Sequence, residues 1–167
     1  MLLWPFSLKL YGRPEVAQAC HRLQDEHGVD VLVVLVAAYS ATILRRNLGP
    51  GQVAELQVVT SDWRSQVIEP LRRLRRDLKR DHISIEPLGR SALRDVIKNA
   101  EVEAERLQLS AMERWLAGQS TDPAELTLSP DLLGLHETGA GGDELALIWR
   151  VAKEIAASLN EHAEQSD

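Results

Sequence analysis

The sequence predicts an all-α fold: a single-domain helical bundle of six to seven helices, with two long central helices packed antiparallel. Apolar residues recur at three- and four-residue spacing in segment after segment, which is the spacing of a helix with one buried face. No segment shows a convincing strand pattern. With 167 residues, of which 44% are apolar, the chain is long enough and apolar enough to form one hydrophobic core.

Proline and glycine divide the first part of the chain into short helices. Pro5 opens a helix that stops near Gly12, and Pro14 opens the next, which ends at Gly28. The second helix buries one face, which consists of Val16, Cys20, Leu23 and His27. A third helix over 29–47 is closed by basic residues and by Gly-Pro-Gly.

The third helix contains residues 31–44, which carry no charge. This run is shorter than the roughly 20 residues that a membrane-spanning helix needs, so it predicts a helix buried in the core and no membrane insertion. The first residues show neither a basic region nor a small-residue cleavage site, so we expect no signal peptide. The lone Cys20 excludes an intrachain disulfide and favours a reducing, cytoplasmic location.

The first of the two long helices follows a short helix over 51–60. We expect Ser61 or Asp62 to cap it, and we expect it to run to about Asp81 with a kink at Pro70. The helix is interpreted as continuous across the proline because one apolar stripe persists on both sides of it. That stripe consists of Trp63, Val67, Leu71, Leu74 and Leu78.

The second long helix is predicted from Pro87 to about Leu109, with Ser110 capping a short extension that ends at Gly118. Its inward stripe consists of Leu93, Ile97, Ala100, Ala104 and Leu107. These helices and those before them make one bundle over residues 1–118. A polar linker over 119–142 follows, rich in Gly, Ser, Thr and Pro.

A C-terminal amphipathic helix over 143–162 is expected to pack on the bundle, and residues 163–167 are expected to fray. The apolar face of this helix consists of Leu145, Ile148, Ala152, Ile155 and Leu159.

Residues 67–81 concentrate basic side chains in a protein whose net charge is −6. At about 100° per residue, one basic group points away from the apolar stripe, where solvent is the default. This predicted surface basic patch consists of Arg72, Arg73, Arg76 and Arg80. A second basic group lies beside the stripe and consists of Arg64 and Arg75, with Lys79 further round.

Glutamates on the next helix are the natural partners of the second basic group. Glu101 and Glu103 flank the inward stripe, and Glu105 lies one step further out. If the two long helices pack antiparallel, with Ala100 and Ala104 allowing close approach, an arginine of one helix reaches a glutamate of the other. A charged seam formed by Arg64, Arg75, Glu101, Glu103 and Glu105 is therefore predicted. The same residues are also candidates for a ligand pocket or a partner surface.

Three blocks in this order carry a family resemblance: WPFSLKLYGRPEVAQACHRLQDEHGVDV, WRSQVIEPLRRLRRDLK and LRDVIKNAEVEAERLQL. Over roughly residues 4–116 the chain resembles an uncharacterised proteobacterial family, domain of unknown function 2390. The resemblance implies no activity. It implies that the following residues fall on motif positions: Trp4, Phe6, Tyr11, Trp63, Arg64, Pro70, Arg72, Arg75, Lys79, Glu101, Glu103 and Arg106.

Sequence motifs for catalysis and for cofactors are not found. The five histidines have no companions at metal-ligand spacing, and Cys20 lies on an apolar face where an inert thiol is expected. The glycine-rich residues 138–144 lack both the dinucleotide and the P-loop spacing and are interpreted as a hinge. We therefore expect no catalytic residues, no bound metal and no cofactor.

The remaining hypotheses concern binding. The first is a cytoplasmic protein-interaction or assembly module that docks an unknown protein partner through its arginine side, together with a strip formed by Val102 and Leu109. The alternative is an enzyme or a binder of a small carboxylate or phosphate, with a pocket lined by arginine and glutamate. Nucleic-acid contact comes third, because the net charge opposes it. A homodimer is also possible.

Overall fold

The computed structural model describes residues 2–80, 85–119, 128, 133 and 141–164, with side chains up to residue 159. These residues form helices and connecting turns with no β-strand among them, so the predicted all-α fold is confirmed. The elements in order are α1 (Leu3–Tyr11), α2 (Pro14–His27), α3 (Val31–Thr42), α4 (Pro50–Trp63), a π-helical turn (Arg64–Ile68), α5 (Glu69–Asp77), α6 (Pro87–Ala117) and α7 (Gly142–Glu164).

The centre of the bundle is α3, in which every residue is buried. Asp30 caps this helix by accepting a hydrogen bond from the backbone N–H of Leu32 at 3.0 Å. Gly28 ends α2 in the left-handed conformation, at φ 65°, which allows the sharp turn from α2 into α3. The prediction of a buried core helix in this segment is confirmed. None of the described helices combines the length and the apolar character needed to cross a bilayer.

A single helical run continues from α4 through the π-turn into α5. The predicted break near residue 60, with Ser61 or Asp62 as a new cap, is therefore wrong, because both residues lie inside α4. Pro70 lies in the first turn of α5, directly after the π-turn. Proline has no backbone N–H to donate to the preceding helical turn. A π-turn, which is wider than an α-helical turn, is a known way to accommodate the missing hydrogen bond.

Helix α6 is one uninterrupted helix of 31 residues. The predicted break at Ser110 is wrong, since its hydroxyl donates to the carbonyl of Arg106 within the helix. The inward stripe is only partly as predicted: Ala104 is buried, whereas Leu93 and Leu107 are exposed. The buried face of α6 consists of Glu101, Ala104, Gln108, Leu109, Met112 and Leu116.

Contacts along α6 show that it runs antiparallel to the α4–α5 run. Near the start of α4, Glu55 accepts a hydrogen bond from the indole of Trp115 at 3.2 Å. Just after the end of α5 and near the start of α6, Arg90 donates a hydrogen bond to the backbone carbonyl of Arg80 at 2.7 Å. Helices α5 and α6 pack against each other, so the two form a hairpin beside the core.

Helix α7 closes the core against α1, α2 and α3. It begins one residue before and ends two residues after the predicted 143–162. Of its predicted apolar face, Leu145, Ile148, Ala152 and Ile155 are buried and Leu159 is partly buried against the core. Val151, which was not predicted, is buried as well. The predicted linker 119–142 lies almost wholly outside the described residues. Leu128, which falls inside it, is buried in the core.

Candidate functional site: a charged seam and an exposed apolar stripe on α6

Seven charged side chains meet where α5 and α6 face each other beside the start of α3. We call this cluster the charged seam; it consists of Asp30, Arg64, Glu69, Arg72, Arg75, Glu101 and Glu105. It ties three parts of the fold together, because α3, the π-turn with α5, and α6 each contribute to it.

Arg72 is the centre of the charged seam. Its guanidinium donates to Glu105 at 2.6 Å and lies 3.4 Å from a carboxylate oxygen of Glu101 and 3.5 Å from one of Glu69. Only 6% of the residue is exposed. The prediction that Arg72 belongs to a solvent-facing basic patch is therefore wrong. The buried face of α5 is rotated from the leucine stripe towards the arginines, so that Leu74 is exposed while Arg72 is buried.

Arg75 forms a two-point contact with Glu101. Its Nε donates to one carboxylate oxygen, and its second terminal nitrogen donates to the other at 3.1 Å. Such fork-to-fork contacts fix the relative position of two helices as well as their charge balance. The predicted pairing of an arginine of one long helix with a glutamate of the next is present here.

Arg64 belongs to the charged seam through partners that the sequence analysis did not propose. It lies 3.3 Å from Asp30 and 3.4 Å from Glu69, and not against the glutamates of α6. Glu69 is five residues further along the chain, and its backbone N–H bonds to the Arg64 carbonyl across the π-turn. The wider π-turn therefore places this arginine and this glutamate side by side.

The charged seam holds four carboxylates and three guanidiniums, so one carboxylate lacks a full counter-charge. Burial raises the pKa of Glu105 above its ordinary value, and the nearby Glu101 and Asp30 raise it further, while Arg72 opposes the change. Burial is also the main cause that raises the pKa of Tyr11 to about 12, with Cys20 and Glu105 adding to it. Tyr11 is therefore neutral at physiological pH and cannot act as a base there.

Glu105→Gln tests this charge balance. The raised pKa means that the folded protein keeps a proton on Glu105 at pH values where the unfolded chain has released it. The contribution of this group to stability is complete below the unfolded pKa, near 4.5, and is lost as the pH rises through the folded value. We therefore expect the free energy of unfolding of wild type, measured relative to Glu105→Gln by urea titration, to fall as the pH rises from 4.5. A difference that grows over this range would contradict the raised pKa.

The other predicted site residues lie outside the charged seam. Glu103 is exposed and pairs with Arg106 on its own helix, so its predicted place in the seam is wrong. Arg73, Arg76 and Arg80 are exposed, as predicted, but without Arg72 they form a smaller basic surface. The predicted docking strip of Val102 and Leu109 is also wrong. Leu109 is buried in the core, and only Val102 reaches solvent.

An open groove of about 730 Å³ lies beside the charged seam. Two carboxylates and one guanidinium border it, together with small or polar residues of α4; the lining consists of Asp30, Ala54, Gln57, Val58, Ser61, Arg64, Ser65 and Glu69. Arg75, Glu101 and Glu105 do not line this groove. Of the residues that the sequence predicts for a carboxylate or phosphate pocket, only Arg64 borders this groove.

Exposed apolar residues lie along one side of α6 at spacings of three, four and seven residues, and the exposed Glu103 lies between the last two of them. We call this surface the α6 stripe; it consists of Leu93, Val96, Ala100 and Leu107. Val96 is 62% exposed, and no described helix covers this side. At about 100° per residue the stripe lies roughly a quarter turn from Arg94, Ile97 and Glu101, which face α5.

The single cysteine lies outside the charged seam. Cys20 is buried, and burial raises the pKa of its thiol to about 12, as expected for an inert cysteine. Among the described residues, no group of three His, Cys, Asp or Glu side chains is arranged to hold a metal ion.

Comparison with known proteins places the chain in a family. Residues 2–112, more than half of the chain, match the family model described as protein of unknown function (DUF2390). The chain belongs to this family. All seven residues of the charged seam and the whole α6 stripe lie within the matched DUF2390 region, whereas α7 lies beyond it. No curated protein and no solved structure matches the chain.

Three members of the charged seam were not predicted as such: Asp30, Glu69 and Arg72, of which Arg72 was assigned to the solvent-facing patch. Asp30 carries a signal that was available, because an aspartate directly before an apolar run is a common helix cap. Its pairing with Arg64 joins segments far apart in the chain and follows only from the packing. The burial of Gln108 also follows only from the packing. This residue is 2% exposed on the inner face of α6, and its side-chain amide has no hydrogen-bond partner among the described residues.

Proposed function

We propose that this DUF2390 protein is a cytoplasmic protein-interaction module that docks a helix of a partner on its α6 stripe. The observation that carries the proposal is the α6 stripe itself, an apolar row on a helix whose other long side is already packed. Exposed apolar surface of this kind is typical of sites that another protein covers. A cytoplasmic location agrees with a single, reduced and buried cysteine.

The charged seam supports this proposal because it leaves its arginines little capacity for a ligand. Arg72 and Arg75 are both held by carboxylates of their own chain. An anionic ligand would have to displace these carboxylates, and each displaced carboxylate would then lie partly buried without a counter-charge. We therefore assign the charged seam the task of holding α5 and α6 in register, so that the α6 stripe is presented on a rigid hairpin.

The spacing of the stripe favours a helix as the occupant. Leu93, Val96, Ala100 and Leu107 lie at three-, four- and seven-residue spacing on the face that meets a second helix along a narrow seam, although Glu103 interrupts this row. Ala100 lies near the middle, and its small side chain permits two helix axes to approach to about 8 Å. An amphipathic helix with its own apolar row is the partner surface that fits this shape.

Site-specific photo-crosslinking tests the proposal. A benzophenone amino acid placed at Val96, in cells that produce the full chain, is expected to form an adduct with one defined helical segment that carries apolar residues at three- and four-residue spacing. The same amino acid at Lys98, which is exposed on a different side of α6, is the matched control and should give no adduct. Absence of an adduct at position 96, or equal labelling at 98, would overturn the proposal.

A further inference from the structure

Two carboxylates of the charged seam border the open groove beside it, and arginines hold both of them only at long distances. Asp30 lies 3.3 Å from Arg64. Glu69 lies 3.4 Å from the same arginine and 3.5 Å from Arg72, and both contacts use its Oε1. Its Oε2 accepts no hydrogen bond from the residues that the structure describes. Glu105, by contrast, lies 2.6 Å from Arg72. The uncompensated negative charge of the charged seam therefore lies at the groove.

The hydroxyl groups at the groove present hydrogen-bond acceptors. Ser61 donates its hydroxyl proton to the carbonyl of Val58 at 2.9 Å. Ser65 donates to the carbonyl of Asp62 at 3.2 Å. A hydroxyl whose single proton is used within its own helix has only lone pairs to offer to a ligand. The groove therefore presents carboxylate and hydroxyl oxygens, which a ligand with several N–H donors would satisfy.

The charges in the lining oppose an anion and favour a cation. Two carboxylates and one guanidinium border the groove, and the guanidinium of Arg64 already contacts both carboxylates. The net charge of the whole chain, −6, attracts cations over a longer range. Ala54 and Val58 add apolar surface beside these groups, and Val58 is 72% exposed. An aliphatic chain with a cationic end would therefore contact both kinds of surface.

We propose that the groove binds an aliphatic amine, whose primary ammonium group lies between Asp30 and Glu69 and whose carbon chain covers Val58. An ammonium group has three N–H donors and no acceptor, which matches oxygens that can only accept. The groove volume of about 730 Å³ lies within the range of small-molecule sites. Arg64 and Ser65 belong to the π-turn, and such turns often lie at functional sites. No described residue of α6 lines the groove, so this site is separate from the α6 stripe and does not rest on the proposed function.

An NMR titration of the full chain with pentylamine tests the proposal. We expect saturable changes in the backbone amide signals of residues 57–65, with a dissociation constant of about 1 mM or lower. Pentanol, which has the same chain without a charge, and pentanoate, which has the opposite charge, are the matched probes and should give no saturable change. If either of them binds as tightly as pentylamine, the inference is overturned.

Two lysine variants separate binding in the groove from general attraction by a negatively charged protein. Ser61→Lys places an ammonium group in the groove itself and should raise the dissociation constant of pentylamine by about tenfold or more. Val59→Lys adds the same charge on the opposite side of α4 and should change this constant by less than about threefold. Both positions are exposed, and thermal melts check that both variants fold. Equal weakening by the two variants would mean that no specific site exists.

Two further probes identify the source of the cation. Ca²⁺ should not compete, because among the described residues no group of three His, Cys, Asp or Glu side chains is arranged to hold a metal ion. If Ca²⁺ shifts the same amide signals at lower concentration than pentylamine, the inference is overturned. Tighter binding of a lysine blocked at both backbone ends would support the ammonium site and assign its ligand to a lysine side chain of a polypeptide. None of these outcomes affects the α6 stripe, which crosslinking at Val96 tests.

Discussion

Glu101→Ala is expected to lower the free energy of unfolding by about 3–5 kcal/mol, because it removes one partner of a buried charge pair and leaves the other behind. Glu101 is 6% exposed, and it contacts both Arg72 and Arg75. After the substitution, Arg75 has lost both of its charged hydrogen bonds to α6, and Arg72 depends on Glu105 and Glu69 alone. Because these contacts fix the relative position of α5 and α6, their loss should make the packing of the two helices less well defined.

Glu103→Ala is the matched control for Glu101→Ala. It is the same substitution two residues further along the same helix, and it also removes an arginine partner, Arg106. That pair is exposed, so its loss should lower the free energy of unfolding far less than Glu101→Ala does. Urea unfolding followed by circular dichroism measures both variants, and the helix propensity of alanine cancels between them. Equal losses would show that the charged seam does not hold the hairpin together.

Removal of α7 is expected to abolish cooperative folding, although α7 lies outside the region that matches DUF2390. The buried side chains of Leu145, Ile148, Val151 and Ile155 contribute about 1.5–3 kcal/mol each, or about 6–12 kcal/mol together. The total stability of a domain of this size is about 5–15 kcal/mol. A chain that ends after Gly118 should therefore lack a sharp thermal transition and should bind hydrophobic dyes.

Point substitutions make the same test without shortening the chain. Ile148→Ala, at a position with no solvent exposure, should cost about 2–5 kcal/mol. Lys153→Ala, on the exposed side of α7, is the control; it removes only the contact of the ammonium with the Trp149 ring at 5.5 Å and should cost no more than about 1 kcal/mol. If the chain that ends after Gly118 unfolded cooperatively with nearly the wild-type melting temperature, the prediction would be wrong, and the region that matches DUF2390 would fold without α7.

The fold could be predicted from the sequence where one face of a helix is uniform in character. The uncharged residues of α3 and the apolar face of α7 have no alternative to burial, so the burial of both helices was predicted correctly, although α3 ends at Thr42 and not at residue 47. The breaks at Ser61 and at Ser110 were predicted wrongly, because residues that cap helices also occur within them when the packing on both sides continues. Capping residues indicate where a helix can end, whereas tertiary contacts determine whether the helix ends there.

The charged seam could be predicted only in part. The pairing of Arg75 with Glu101 follows from helix periodicity and charge, and it is present in the structure. The burial of Arg72 does not follow, because the periodic pattern assigns burial to leucines and the π-turn that rotates α5 leaves no sequence signature other than Pro70. Contacts of Asp30 with Arg64 and of Arg72 with Glu105 depend on where whole helices lie, which no local pattern contains.

The π-turn makes the phase of α5 depend on a single residue. A π-turn holds one residue more than an α-helical turn, so the residues after it keep the phase of a regular helix that is one residue shorter. If Arg64–Ile68 formed a regular α-helical turn with the same residues, everything after it would turn by about 100° about the helix axis relative to α4. Helix and hairpin could both survive such a change, yet Arg72 would be carried out of reach of Glu105. The length of this one turn therefore determines which face of α5 packs against the rest of the molecule.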